Sequence, residues 1–116
     1  MSHTSAVPKV SIIGLGKLGL SMLVAFARAG VEVWGVETNK EIVMAINVDN
    51  FSCISLLVKE PGLAQMLSDS RHRGCDFHAT IDLENAVLRT DITFVVVPTP
   101  SEGDSLFSIK CAAKAF

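Results

Sequence analysis

Lys9-Val-Ser-Ile-Ile-Gly-Leu-Gly-Lys-Leu-Gly19 decides the reading of this 116-residue chain. A short apolar run rich in β-branched residues exits into three glycines spaced G-x-G-x-x-G, and a helical pattern follows. Each glycine has a separate physical reason at that spacing. Gly14 permits a sharp turn, Gly16 lets a diphosphate approach the backbone closely, and Gly19 lets the following helix pack tightly. The phosphates would then meet a helix N-terminus, where unpaired N–H groups and the macrodipole favour negative charge. Glycine-rich turns are common, so the flanking elements must carry the assignment.

Those elements have the required order. Leu18, Leu20, Met22, Leu23, Phe26 and Ala27 give an apolar face to a helix from about Lys17 to Ala29, and Gly30 stands where a C-terminal glycine is expected. Val31-Glu-Val-Trp-Gly-Val36 reads as a second strand and ends at an acid, Glu37. A carboxylate at that strand end can accept hydrogen bonds from both ribose hydroxyls of an adenosine and would repel a 2′-phosphate. Strand, glycine turn, helix, strand and acid together predict an α/β fold of the Rossmann type that holds NAD.

Composition bounds the rest. A chain of 116 residues can bury one core but is short for a complete dinucleotide enzyme. A net charge of −2 and the lack of a Lys/Arg cluster argue against nucleic acid as a partner. The apolar runs are too short to cross a bilayer, and Met1-Ser-His-Thr-Ser-Ala6 lacks the layout of a signal peptide, so no membrane association is expected. Cys53, Cys75 and Cys111 are widely spaced and odd in number, which suggests reduced thiols in the cytoplasm.

Further along, Asn39 is a candidate cap for a helix carrying Ile42, Val43 and Ile46. Phe51 to Val58 is apolar without clean periodicity and receives no assignment. Glu60-Pro-Gly-Leu63 reads as the entry of a helix with proline near its first turn, with Leu63, Met66 and Leu67 facing inward and an end before Gly74. Asp76 to Thr80 reads as a third strand, and Asp82 caps a helix holding Leu83, Ala86 and Val87. Ile92-Thr-Phe-Val-Val-Val97 is a fourth strand, apolar enough to be covered on both faces, and exits into Pro98-Thr-Pro100. Ser101 to Asp104 reads as a turn and Leu106 to Phe116 as a helix.

The expected organisation is a tail over residues 1–8 and an incomplete dinucleotide-binding domain over 9–116. Its four parallel strands take the order 3-2-1-4 with helices on both faces. With nothing beyond it, the fourth strand would be an apolar edge, which predicts a homodimer or other self-association through that strand or the last helix. His72, Cys75 and His78 raise a zinc hypothesis, but no fourth ligand is evident and Arg71 and Arg73 would repel a cation, so a solvated turn is preferred and no metal is expected.

Gly14-Leu-Gly-Lys-Leu-Gly-Leu20, Ala25-Phe-Ala-Arg-Ala-Gly30, Glu60-Pro-Gly-Leu63 and Val97-Pro-Thr-Pro100 stand in the order and at about the spacing of one family. The chain resembles the UDP-glucose/GDP-mannose 6-dehydrogenases from Lys9 to its end. The resemblance implies an NAD-binding domain from enzymes that oxidise the C6 hydroxyl of a nucleotide sugar to a carboxylate in two hydride transfers. It implies that Gly14, Gly16 and Gly19 line the pyrophosphate, with the backbone N–H groups of Lys17 and Leu18 beside it. Glu37 would hold the ribose, and Pro98 and Thr99 would lie beside the nicotinamide ribose.

Two departures stand out. Five residues after the ribose acid the family has a basic residue, whereas this chain has Ile42, with Lys40 offset. The family's catalytic cysteine and sugar-nucleotide pocket lie downstream of the Val-Pro-Thr-Pro segment, and Cys53, Cys75 and Cys111 do not match its context. The resemblance therefore implies no catalytic residue here, no turnover by this polypeptide alone, and a nucleotide sugar as partner only of a longer parent. Buried small hydrophobes are the preferred reading of the three thiols. A second reading is a non-catalytic regulatory module, similar to nucleotide-sensing domains of channels and transporters. The Glu60-Pro-Gly-Leu63 and Pro98-Thr-Pro100 segments favour the first.

Overall fold

The computed structural model describes residues 7–98 and 107–113. Four short segments become parallel strands, β1 (Val10–Ile13), β2 (Val33–Val36), β3 (Phe77–Thr80) and β4 (Ile92–Pro98), and a fifth, β5 (Phe107–Ala113), runs antiparallel beside β4. The sheet order is β3-β2-β1-β4-β5. The expected 3-2-1-4 arrangement is present, with β5 added outside it.

Among the described residues five helices connect the strands: α1 (Lys17–Arg28), α2 (Lys40–Asn47), α3 (Phe51–Leu57), α4 (Leu63–His72) and α5 (Leu83–Arg89). Their ends follow local chemistry. The Asn39 side chain accepts from Glu41 N–H at 2.9 Å and that of Asp82 from Asn85 N–H at 3.0 Å, each satisfying a donor that the helix leaves unpaired. Gly30 closes α1 at φ +90°, a conformation that costs glycine no side-chain clash.

Strand alternation sorts the sheet into two unlike faces. On one, Val10, Ile12, Val33, Phe77, Ala79 and Val96 are buried in the core shared with α1, α2, α3 and α4. Phe26 of α1 packs on Phe94 at a centroid separation of 5.3 Å, and Phe51 of α3 on Phe77 at 6.3 Å. The other face carries hydroxyls. Ser11 lies 2.8 Å from Thr93 and 3.0 Å from Thr90, whose own hydroxyl donates to Ala86 C=O at 2.8 Å and ties α5 to β1. Each hydroxyl has one proton, so the run is satisfied in the order Thr93, Ser11, Thr90, Ala86 carbonyl. Beside it Trp34 stacks on His78 at 4.4 Å, with the Arg89 guanidinium of α5 5.0 Å from the indole centroid.

The β3 edge is closed by side chains. The Asn47 amide donates to Ala79 C=O at 2.7 Å and accepts from Ala79 N–H at 3.0 Å, standing in for a strand neighbour. Arg71 donates to Phe77 C=O at 3.1 Å, lies 3.8 Å over the Phe77 ring, and reaches Asp49 at 2.8 Å. A partner strand cannot add here without displacing both.

Several expectations need correction. Phe51 to Val58, left unassigned, contains α3, whose buried residues are Phe51 and Ile54. Pro61 precedes α4 rather than entering it, because Gly62 takes a left-handed conformation at φ +83° and the helix starts at Leu63. Leu63 and Leu67 are buried, but Met66 is exposed. Within Leu106 to Phe116, read as a helix, residues 107–113 form β5, and Cys111 lies in that strand. Phe107, Ile109 and Cys111 alternate with Ser108 and Lys110, a period of two that suits a strand, and pairing with β4 satisfies backbone groups that a helix there would leave open. β4 is therefore not an edge, and dimerisation through a bare fourth strand or a terminal helix loses its structural basis. The Ser101–Asp104 turn lies outside the described residues.

Candidate functional site

β1 leads into Gly14, which has φ +100° and donates its N–H to Val36 C=O at 2.8 Å. A Cβ on Gly14 would fall inside 3.0 Å of the Val96 carbonyl oxygen of β4, so both backbone conformation and proximity require glycine. Leu15 then turns inward and is fully buried. It packs over Gly35 of β2, where a Cβ would stand 2.6 Å from Leu15 Cδ1. Gly16 caps α1 with an unremarkable φ of −85°. Gly19 lies so close to the Gly14 carbonyl that a Cβ would put the carbonyl carbon at 2.9 Å and the oxygen nearer still.

Of these glycines Gly16 alone has nothing within 4 Å of where its Cβ would be. Its surroundings are open to solvent rather than filled by protein. The first intrahelical bond of α1 is from Leu20 N–H to Gly16 C=O at 2.9 Å, which leaves the N–H groups of Lys17, Leu18 and Gly19 without intrahelical acceptors. Among the described residues no side chain caps them, and no acid stands in the first turn. A bare, positively polarised helix end beside a glycine with free space fits a diphosphate.

Glu37 stands at the end of β2, where its backbone N–H bonds Thr80 C=O at 3.1 Å. Its carboxylate already has two strong partners. Oε1 accepts from Leu15 N–H at 2.9 Å, and Oε2 accepts from Asn39 N–H at 2.9 Å. Thr38 Oγ1 adds a weaker contact at 3.4 Å. A carboxylate has about four acceptor sites, so one is free for a sugar hydroxyl and a second opens if the weakly held Thr38 hydroxyl turns away. The same group thus braces the glycine turn and presents its remaining acceptor capacity beside it.

The sequence profile described as UDP-glucose/GDP-mannose dehydrogenase family, NAD binding domain, matches residues 8–116. The chain belongs to this family. Curated relatives include the UDP-glucose 6-dehydrogenase AglM of Haloferax volcanii, 35% identical over 108 residues that make up 90% of this chain and 23% of the relative. The GDP-mannose 6-dehydrogenase of Pseudomonas aeruginosa is 33% identical over 94 residues, covering 81% of this chain and 20% of the relative. Among solved structures, a ternary complex of the Pseudomonas aeruginosa GDP-mannose dehydrogenase superposes with a TM-score of 0.65 at 30% identity, over 86% of this chain and 22% of that one. A UDP-glucose dehydrogenase from Pyrobaculum islandicum gives 0.66 at 28%, over the same shares. The chain spans about a fifth to a quarter of the length of these relatives. It carries the family's NAD-binding unit.

Within this NAD-binding domain the predicted site residues Gly14, Gly16, Lys17, Leu18, Gly19 and Glu37 come together at one end of β1 and β2. Pro98 ends β4, in register with Phe107, and Thr99 lies outside the described residues. Ile42, at the position where a basic residue was expected, is buried in the core, while Lys40 is exposed on the first turn of α2. Cys53 and Cys75 are half-buried against the core. His72 bonds Ser68 C=O at 2.9 Å, whereas His78 stacks on Trp34 and meets Asp76 at 2.5 Å. Among the described residues no three His, Cys, Asp or Glu side chains converge on a point where a metal would sit, and no helix is long and apolar enough to cross a membrane.

Gly35 escaped the sequence reading, although a glycine inside a strand marks close approach of another group. Here that group is Leu15, the residue between the first two motif glycines.

Proposed function

We propose that the diphosphate of NAD lies over Gly16, held by the N–H groups of Lys17, Leu18 and Gly19, with Gly14 and Gly19 shaping the turn. Glu37 takes the hydroxyls of the adenosine ribose, and Pro98 and Thr99 border the nicotinamide ribose. The observation that carries this reading is the uncapped start of α1 set beside a carboxylate with spare acceptor capacity. A 2′-phosphate would meet the Glu37 charge, so NAD is preferred to NADP.

The parent activity is oxidation of a UDP- or GDP-sugar at C6 from hydroxyl to carboxylate, in the cytoplasm. NAD, when bound, supplies the hydride acceptor. Residues 9–116 contribute cofactor binding and orientation, since none of their cysteines matches the context of the family's nucleophile. By themselves they bind NAD without turning over a nucleotide sugar. Self-association, where it uses the sheet, goes through the outer side of β5, because Asn47 and Arg71 close the other end.

Isothermal titration with NAD and NADP tests the reading. Binding of NAD with clear discrimination against NADP is expected. Failure to bind NAD, or equal affinity for the two, overturns it.

A further inference from the structure

The start of α1 is built unlike those of α2 and α5. Asn39 caps α2 and Glu41 follows, while Asp82 caps α5 and Glu84 follows, so each of those starts receives an acceptor and a negative charge. α1 has neither, and Lys17 occupies its first position, where a cation has the same sign as the helix end. Among the described residues Lys17 forms no ion pair.

An acidic residue from a distant element, Glu60, borders this turn. Lys17, Leu18, Ser21 and Glu60 line one shallow pocket of about 270 Å³. The loop that carries Glu60 is pinned on both sides. Val58 before it and Leu63 after it are buried, Glu60 N–H bonds Val58 C=O at 3.0 Å, and Leu63 N–H bonds Glu60 C=O at 3.2 Å. The backbone of Glu60 is therefore held at both ends of its loop, and its exposed side chain is the freer part.

From this arrangement we infer that Lys17 and Glu60 set cofactor affinity in opposite directions. Glu60 is the resident counter-charge of the α1 start in the free domain. A dinucleotide diphosphate takes over that role, gaining the Lys17 ammonium as a side-chain partner and meeting repulsion from the Glu60 carboxylate. The inference rests on the diphosphate reading of this helix end given above. It adds side-chain roles for two residues, one of them on a separate element, to what the backbone N–H groups do. Both charges are exposed, so each effect is small and is screened by salt.

The test is calorimetric titration of NAD into the full chain and its variants at low and high salt. Lys17→Met is expected to weaken binding about threefold and Lys17→Arg to restore it, while Glu60→Gln tightens binding about threefold. These differences should shrink towards zero near 0.5 M salt, where the screening length is only a few ångströms ~. Thermal melts of the free variants within a few degrees of wild type ~ would show that the fold is unchanged. Wild-type binding that neither substitution alters, or that both shift in the same direction, overturns the inference and leaves the functional reading standing. A wild-type chain that fails to bind NAD removes both.

Discussion

Replacing Gly14, Gly16 and Gly19 one at a time by alanine separates what the fold needs from what the ligand needs. At Gly19 the new Cβ would sit 2.9 Å from the Gly14 carbonyl carbon, against an optimum of about 3.5–4.0 Å, with the oxygen closer. Relief requires moving the whole start of α1 away from the turn, and Leu20, Leu23 and Val24, all fully buried, move with it. Overpacking of this kind costs roughly 1–3 kcal/mol, and a backbone obstacle puts Gly19→Ala at the upper end, about 3 kcal/mol. At about 4 °C per kcal/mol for a domain of this size, the melting temperature falls by about 12 °C. Gly14→Ala adds the cost of a left-handed conformation, about 1–2 kcal/mol, to its clash with β4 and is at least as damaging.

Gly16→Ala should behave differently. Alanine is a poorer helix cap than glycine by several tenths of a kcal/mol ~, but it narrows the unfolded ensemble by about 0.4–1 kcal/mol, so the two terms nearly cancel. The melting temperature stays within about 2 °C of wild type. The methyl group now enters the open space where the diphosphate is proposed to lie, and NAD binding is expected to weaken by about 1–3 kcal/mol, fivefold or more. Thermal melts followed by circular dichroism, with calorimetric NAD titration of each soluble variant, read both effects. A Gly16→Ala variant that melts as low as Gly19→Ala, or that binds NAD as wild type does, refutes the division of labour.

Glu37→Gln keeps one acceptor oxygen but turns an amide N–H₂ towards Leu15 or Asn39, and is expected to cost about 1–3 kcal/mol in denaturant titrations and to narrow the preference for NAD over NADP. Asn47→Ala leaves both backbone groups of Ala79 unpaired at the β3 edge, so stability drops by about 1–2 kcal/mol and sedimentation analysis shows increased self-association. Ser11→Ala interrupts the hydroxyl run at its centre and leaves Thr93 without its acceptor, at a cost of about 1–3 kcal/mol measurable by urea denaturation without loss of NAD affinity.

The parts of the fold legible in the sequence are those with local causes. The β1 turn, α1, β2 and Glu37 follow one another within about thirty residues, and each is specified by its own glycine, periodicity or strand composition. Asn39 and Asp82 likewise act on N–H groups two and three residues away. α3 was harder to read, because only Phe51 and Ile54 are buried, and one i, i+3 pair does not distinguish a helix from an irregular apolar loop. The final segment was misread although its period of two was visible, because its strand needs the side of β4 that β1 leaves open, which only the sheet order reveals. In the site, the glycines and the acid were visible as a pattern. The bonds from Leu15 and Asn39 to Glu37, and the fit of Leu15 over Gly35, exist only once β1 and β2 lie side by side.

On the proposed reading, in which Glu37 takes the adenosine ribose, its double attachment makes cofactor choice hard to change by a single mutation. An acid that only read the sugar could be exchanged for a neutral or basic residue and the domain would accept a phosphorylated nucleotide. Here the same oxygens hold two neighbouring loops in place, so such an exchange loosens the entrance it is meant to retune. A shift in preference would have to begin elsewhere, with a new anchor for Leu15 established before the acid is given up.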